Sequence, residues 1–195
     1  DGRRGTRQIM NLILASNSPR RKELLQAYGF EFEVVVSAFN EQDQGLTPSQ
    51  AVMNNALGKA KDVYDKFSQK DVVVLGADTV VSFDNEILGK PKTKEQAVKM
   101  LKSLSGKVHS VYTGYCIISK DKVICDVVET KVEFNSLSDK LINEYVATGK
   151  PMDKAGAYGI QDGFELVKSF NGSFNNVVGL PIEIFSEQLK ELLSK

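Results

Sequence analysis

The sequence predicts an α/β fold built on a mixed sheet. Three observations carry that expectation. Strand-like and helical patterns alternate along the chain, as they do where helices cross over between strands. The run 72–77, Val-Val-Val-Leu-Gly-Ala, is apolar almost throughout and suits a central strand covered on both faces. Turn signals at Ser119-Lys120-Asp121-Lys122 and at Asn171-Gly172 add antiparallel hairpins to the parallel crossovers.

The first apolar run, 10–15, is a strand. Ser18 suits a helix N-cap and Pro19 its first position, where a missing N–H costs nothing, so a helix over 19–28 comes next and Gly29 stops it. Residues 31–37 read as a second strand. Thr47-Pro48-Ser49-Gln50 is a capping box that opens a helix to about residue 67. The strand 72–77 hands on to an extended run, 79–83, with Asp84-Asn85 as a turn. Thr93-Lys94-Glu95-Gln96 opens a helix to Leu104, with Gly106 just beyond it. Strands at 111–118 and 123–134 flank the Ser119–Lys122 turn. Ser138 caps a helix through 146, closed by Gly149. A polar, glycine-rich stretch covers 150–161. Segments 164–170 and 174–178 read as a hairpin about Asn171-Gly172, and Pro181 begins the last helix.

At 195 residues the chain suits a single domain over 10–195. Residues 1–9 differ in composition from the rest of the chain, and Met10 makes a natural start, so this segment is expected to be a non-native extension. Apolar content of 42% and charged content of 26% are those of a soluble globular protein, expected in the cytoplasm. No apolar run approaches the roughly 20 residues of a membrane span. A formal net charge of zero argues against broad binding to nucleic acid or membrane, so basic clusters must act locally. An even-length turn would place Cys116 opposite Cys125; two reduced thiols are expected rather than a disulfide, because cytosolic thiols stay reduced. Neither spacing nor a nearby histidine makes a zinc site.

Chemistry concentrates at a few points. Ser16-Asn17-Ser18-Pro19-Arg20-Arg21-Lys22 places two hydroxyls and three cations at a helix start, where free N–H groups and the helix dipole favour an anion. A capped helix with a solvated basic turn is the bland alternative. Asp78 comes directly after the buried strand 72–77, a position fit for a base or a metal ligand in an α/β site, or for an Asx turn. Lys59 falls on the apolar stripe marked by Val52, Ala56, Val63 and Phe67, either snorkelling from its edge or aimed into a site. Gly89-Lys90-Pro91 sets a cation on a rigid turn, and Glu41 lies in a polar loop. His109 is the only histidine and reads as structural, which leaves triad chemistry without support. P-loop and Gly-x-Gly-x-x-Gly patterns are absent. Cations that suit phosphate oxygens, mixed with carboxylates that need a bridging cation, point to Mg²⁺- or Mn²⁺-assisted phosphate-ester hydrolysis.

Several motifs together resemble the Maf family in order and spacing. They are Ser16-x-Ser18-Pro19-Arg20-Arg21, Lys59-Ala60, Ala77-Asp78-Thr79, Gly89-Lys90-Pro91, Leu104-Ser105-Gly106-x-x-His109, Asp153-Lys154-Ala155-Gly156-Ala157-Tyr158-Gly159-Ile160-Gln161 and Asn176-Val177-Val178-Gly179-Leu180-Pro181. The resemblance implies an inosine-triphosphatase-like fold of two lobes about a cleft. It also implies a pyrophosphatase that splits nucleoside triphosphates into the monophosphate and pyrophosphate. By motif, Asp78 would activate water, Glu41 and Asp78 would hold the divalent metal (Mg²⁺ or Mn²⁺), and Ser16, Arg20, Arg21, Lys59 and Lys90 would bind phosphate. Arg20, Thr79 and Gln161 match the branch that resembles dTTP/UTP pyrophosphatases, and a glutamine amide suits the paired donor and acceptor edge of a pyrimidine. Modified pyrimidine nucleotides are further expected substrates. The alternatives are the sister branch acting on 7-methyl-GTP, or a nucleotide-binding regulator of septum formation with a cell-division partner. A homodimer is also implied by the resemblance.

Overall fold

A computed structural model describes residues 10–67 and 71–194. The segment 1–9, expected to be an extension, lies outside the described residues. Among the described residues seven strands form one mixed sheet: β1 (Asn11–Leu14), β2 (Glu33–Val34), β3 (Val72–Phe83), β4 (Glu86–Leu88), β5 (Val108–Ile118), β6 (Val123–Phe134) and β7 (Val167–Asn171). Their order is β2-β1-β3-β5-β6-β7, with β4 paired to the far half of β3. The β2-β1-β3 part is parallel, and every other pairing is antiparallel. Among the described residues six α-helices accompany it: α1 (Pro19–Ala27), α2 (Pro48–Tyr64), α3 (Lys94–Leu104), α4 (Asp139–Ala147), α5 (Phe174–Val178) and α6 (Ile182–Leu193). No described helix is long and apolar enough to cross a membrane.

Alternation along β3 divides the core. Leu75 and Ala77 join Tyr115 and Ile117 of β5 in packing against Leu25 of α1 and Phe185 and Leu189 of α6. Val72 and Val74 face the other way, with Cys116 and Ile118, onto Ala56, Ala60 and Val63 of α2. A further cluster joins Val81, Val111, Val132 and Phe134 to α3 and α4.

Two glycines let α2 lie unusually close to the sheet. A Cβ on Gly76 would come within 2.5 Å of the Ala56 carbonyl oxygen and 2.8 Å of the Ala60 nitrogen. On Gly114 it would collide with the Val52 carbonyl. Gly114 is the β5 partner of Asp78, so the tight contact falls beside that carboxylate.

Several expectations need correction. Asp78 does not end a strand, because β3 runs unbroken through it and β5 pairs along nearly the whole length. What ends there is β1, whose last partner is Leu75, while β4 first pairs at Val81. One edge of β3 is therefore open beside Asp78. Segment 174–178 is a helix rather than a strand. Ser173 Oγ accepts from Asn176 N at 3.0 Å, and the buried Asn176 Nδ2 donates to Val111 O, Val128 O and Thr130 Oγ1. Those sheet partners reward a plug standing on the strands over another strand beside them. The second strand shrinks to two residues because it sits at the sheet edge with one neighbour. Asp84 and Asn85, at φ 51° and 64°, close a tight hairpin whose return strand β4 carries too few residues to register as a strand pattern. Cys116 and Cys125 are bonded as a disulfide rather than free, since the register sets them directly opposite with Cα atoms 4.2 Å apart.

His109 is structural, as expected. It is 3% exposed, its Nε2 shares a 2.6 Å hydrogen bond with the Tyr158 hydroxyl, and its buried Nδ1 has no partner among the described residues. Burial lowers its pKa to about 4.

This packing makes two testable demands. Gly114→Ala should cost about 1–3 kcal/mol by urea denaturation, since the helix must retreat from the sheet; a variant as stable as wild type would show that the contact relaxes freely. The second concerns pH. The unfolded chain protonates His109 near pH 6.5 and the folded chain only near 4. Its contribution is thus intact above pH 6.5 and is lost as pH falls towards 4, by roughly 3 kcal/mol at most. His109→Gln should flatten this part of the stability profile, and an equal acid loss in both proteins would exclude the histidine as its source.

Candidate active site

The open edge of β3 gives onto a cleft of 690 Å³. It is lined from five directions: the start of α1, the loop after β2, the α2 face, the Gly89-Lys90 turn and the segment 153–161. Because β1 has ended, side chains from both faces of β3 reach this one space. Asp78 enters from the α2 side and Thr79 from the opposite face.

Helix α2 supplies the centre. Lys59 is 12% exposed and does not snorkel to solvent. Its Nζ donates to the Ala77 carbonyl at 3.1 Å, ion-pairs with Glu41 Oε1, and stands 3.7 Å from Asp78 Oδ1. Asn55, one turn earlier and 3% exposed, donates through Nδ2 to Asp78 Oδ2 at 2.9 Å and to Gln42 O at 3.2 Å. Its Oδ1 accepts from Gln42 N at 2.9 Å. One turn later, Asp62 accepts from Ala38 N and Ser37 Oγ, and the Phe39 ring occupies the space left by Gly58. These contacts strap the loop after β2 onto α2 and hold Glu41 against Lys59.

The helix start forms the opposite wall. Ser18 Oγ accepts from Arg21 N at 3.4 Å as the N-cap. Arg21 is buried and spread across three anchors: Nε to Gly179 O at 2.8 Å, one terminal nitrogen to Ser16 Oγ at 3.0 Å, the other to Thr79 Oγ1 at 3.1 Å. Ser16 Oγ also accepts from Ser18 N, which leaves its hydroxyl proton for a ligand. Arg20 points elsewhere, donating to Asp153 Oδ2 at 3.1 Å and Asp153 O at 3.3 Å. Lys90 lies exposed on the cleft rim, and Gln161, also exposed, borders the same cleft. The Thr79 hydroxyl is held by Thr113 Oγ1 at 2.8 Å as well as by Arg21. Lys22 turns away to Asn17.

The charges shift one another. Burial pushes the Asp78 carboxyl up, against the Lys59 ammonium and the Asn55 amide. Burial works the same way on Glu41, but there Lys59 prevails and holds the carboxyl below its usual range. Burial lowers the Arg21 pKa, with Asp78 opposing.

The fit of a divalent cation can be judged from the donors. Among the described residues no group of three or more His, Cys, Asp or Glu side chains converges as a cage. Two carboxylates, Glu41 and Asp78, do face the same space across Lys59. Mg²⁺ commonly takes one or two carboxylates and completes its shell with water and substrate phosphates. The donors fit an ion that arrives with a polyphosphate.

A family profile described as Maf-like protein matches residues 11–192. This chain belongs to the Maf family. Among its relatives, a protein of Thermococcus kodakarensis named dTTP/UTP pyrophosphatase is 48% identical over 182 residues, covering 93% of this chain and 96% of that protein. A Clostridium tetani protein of the same name is 46% identical over 188 residues, 94% and 98% of the two chains. The solved structure of the Staphylococcus aureus Ham1 protein shares the fold, with a TM-score of 0.53 at 12% identity over 93% of this chain and 98% of that one.

In this Maf chain the expected residues Ser16, Arg20, Arg21, Glu41, Lys59, Asp78, Thr79, Lys90 and Gln161 all border the same cleft. Sequence reasoning misses Asn55 and the anchoring role of Asp153. The signal for Asn55 is nonetheless present, since Asn55, Gly58, Lys59 and Asp62 repeat at helical spacing beside the apolar stripe of α2. Asn55→Leu keeps the bulk but leaves Asp78 Oδ2 and the Gln42 backbone without these partners. It should lower kcat/KM about 10- to 100-fold in nucleotide hydrolysis, matching a loss of roughly 1.4–2.7 kcal/mol. A folded variant with wild-type kcat/KM would separate Asn55 from the chemistry.

Proposed function

We propose that this chain hydrolyses nucleoside triphosphates between the α and β phosphates, giving the monophosphate and pyrophosphate, with dTTP and UTP as substrates. One observation carries the chemistry: a buried carboxylate, Asp78, held beside Lys59 in a cleft that also receives Ser16, Arg20, Arg21 and Lys90. The names borne by relatives of nearly half-identical sequence support the choice of substrate.

Asp78 accepts a proton from water as the water oxygen attacks the α-phosphorus, the α–β bridging P–O bond breaks, and pyrophosphate departs. Its raised pKa makes it a better base than an exposed aspartate, because proton affinity moves towards the working pH. Asn55 fixes Oδ2, so the carboxylate need not reorient during the step. Lys59 places an ammonium where negative charge grows on the α-phosphate. Arg20 and Lys90 receive the outer phosphates, and the Ser16 hydroxyl donates to one of them. Glu41 and Asp78 would hold Mg²⁺ or Mn²⁺ together with the triphosphate, and the ion would supply further charge neutralisation. Gln161 and Arg20 meet the base, and Thr79 borders the same cleft.

Pyrophosphate release across a nucleotide panel with Mg²⁺ and Mn²⁺ tests this reading. dTTP and UTP should turn over best, and chelation should abolish turnover. Turnover of 7-methyl-GTP with none of dTTP or UTP would reject the substrate. Asp78→Asn should reduce kcat at least about a hundredfold while nucleotide binding persists. In wild type, kcat/KM should fall as acid protonates Asp78, at a pH above the usual aspartate range, and the residual activity of the variant should lack that limb.

A further inference from the structure

The segment 150–162 carries a buried charge that the reaction does not use. Lys154 is 8% exposed although it borders the cleft. Its ammonium has three protons and three acceptors: Lys150 O at 2.7 Å, Asp162 Oδ2 at 3.0 Å and Asp153 Oδ1 at 3.3 Å. None is left for a phosphate. Asp162 is nearly as enclosed, with its side chain 9% exposed, and also accepts from the Tyr145 hydroxyl at 2.5 Å. That hydroxyl in turn accepts from Gly159 N at 2.9 Å. The lysine stem crosses directly over Gly159, where a Cβ would lie 2.7 Å from Lys154 Cε.

The two carboxylates gripped by Lys154 are tied to the two residues that meet the base. Asp153 grips Arg20 through both its side chain and its carbonyl, across 133 positions of sequence. Asp162 is the immediate neighbour of Gln161. The ammonium therefore ties the anchor of one base-facing residue to the anchor of the other. A buried ion pair is weak support for stability, because desolvation offsets most of its attraction. Its stronger effect is geometric, fixing three points of the segment at once.

We propose that Lys154 is a specificity-determining positioning residue: by joining Asp153 to Asp162 it sets the spacing of Arg20 and Gln161, and so which nucleobase the cleft accepts. This rests on the reading that Arg20 and Gln161 meet the base. Hydrogen-bonded selection of a base edge depends strongly on distance, so a loosened spacing loses discrimination before it loses chemistry.

The test uses the full chain, with dTTP and dATP as probes sharing a sugar and differing in base. Lys154→Met should lower the dTTP-to-dATP ratio of kcat/KM at least about tenfold. The KM for dTTP should carry the change while kcat stays within about threefold. Should Lys154→Met not fold, Lys154→Met/Asp162→Asn, which removes both charges, and Tyr145→Phe decide; each should shift the ratio the same way by about threefold or more. Gln161→Ala is measured in parallel. A ratio that collapses in Gln161→Ala but holds in the folded network variants overturns the role of Lys154 alone. An unchanged ratio in Gln161→Ala overturns the reading of the base contact and the inference with it. A uniform loss for both nucleotides in the network variants marks a merely structural lysine and also overturns the proposal.

Discussion

The close approach of α2 to the β3–β5 pair is the constraint on which the rest of the structure depends. Gly76 and Gly114 have no side chain because helix backbone occupies the space where one would stand. That contact lets the short reach of an asparagine amide cover the distance from helix to Asp78. It also lets Lys59 satisfy the Ala77 carbonyl at the one stretch of β3 where neither β1 nor β4 is alongside. From that helix the Glu41 loop is then strapped down by Asp62, Gly58 and Asn55. A wider helix–sheet gap would leave a buried carboxylate, a largely enclosed lysine and an open strand edge each without its partner, and each such group costs kilocalories.

The same packing explains how so many cations coexist near one helix start. They already have partners: Lys59 the Glu41 and Asp78 carboxylates, Arg20 the Asp153 carboxylate, and Arg21 uncharged oxygen acceptors around its whole fork. A triphosphate entering the cleft exchanges partners rather than meeting bare charge. Burial lowers the Arg21 pKa, and Arg20, which still repels Arg21, lowers it further; Asp78 near Arg21 and Asp153 on Arg20 offset part of that repulsion.

Much of this is legible in the sequence because local signals and long-range packing agree. The capping box at Thr47 and the Ser18-Pro19 start mark helices whose caps form as expected, whereas at Thr93 only half of the expected capping box forms, because Gln96 Oε1 accepts from Lys92 N and not from Thr93 N. Asp78 stands out as a carboxylate amid apolar residues, and it is buried in the fold. Local pattern misleads where tertiary contacts outweigh it. Asn171-Gly172 looks like a hairpin turn, but the chain beyond it forms a helix because Asn176 finds three sheet acceptors. Lys59 can be assigned to the stripe but not to its partners, since those come from a loop and a strand elsewhere in the chain. Asp153 is invisible as the Arg20 anchor for the same reason. Helical spacing reports which face a residue occupies, and only the assembled sheet reports what that face meets.

The Arg21–Gly179 hydrogen bond has a consequence for how the protein comes into being. Its ends are 158 residues apart. At a synthesis rate of about 5–20 residues per second, the first helix waits roughly 8–30 s before the chain that completes its wall leaves the ribosome. Throughout that interval the cleft lacks one side and Arg21 lacks the carbonyl that holds it inward. The nascent chain thus carries a cluster of cations able to meet cellular polyanions, but no assembled centre with which to cleave them. The cleft wall therefore waits for the chain through Gly179, so activity reports on contacts made between distant parts of the sequence and not on the first helix alone.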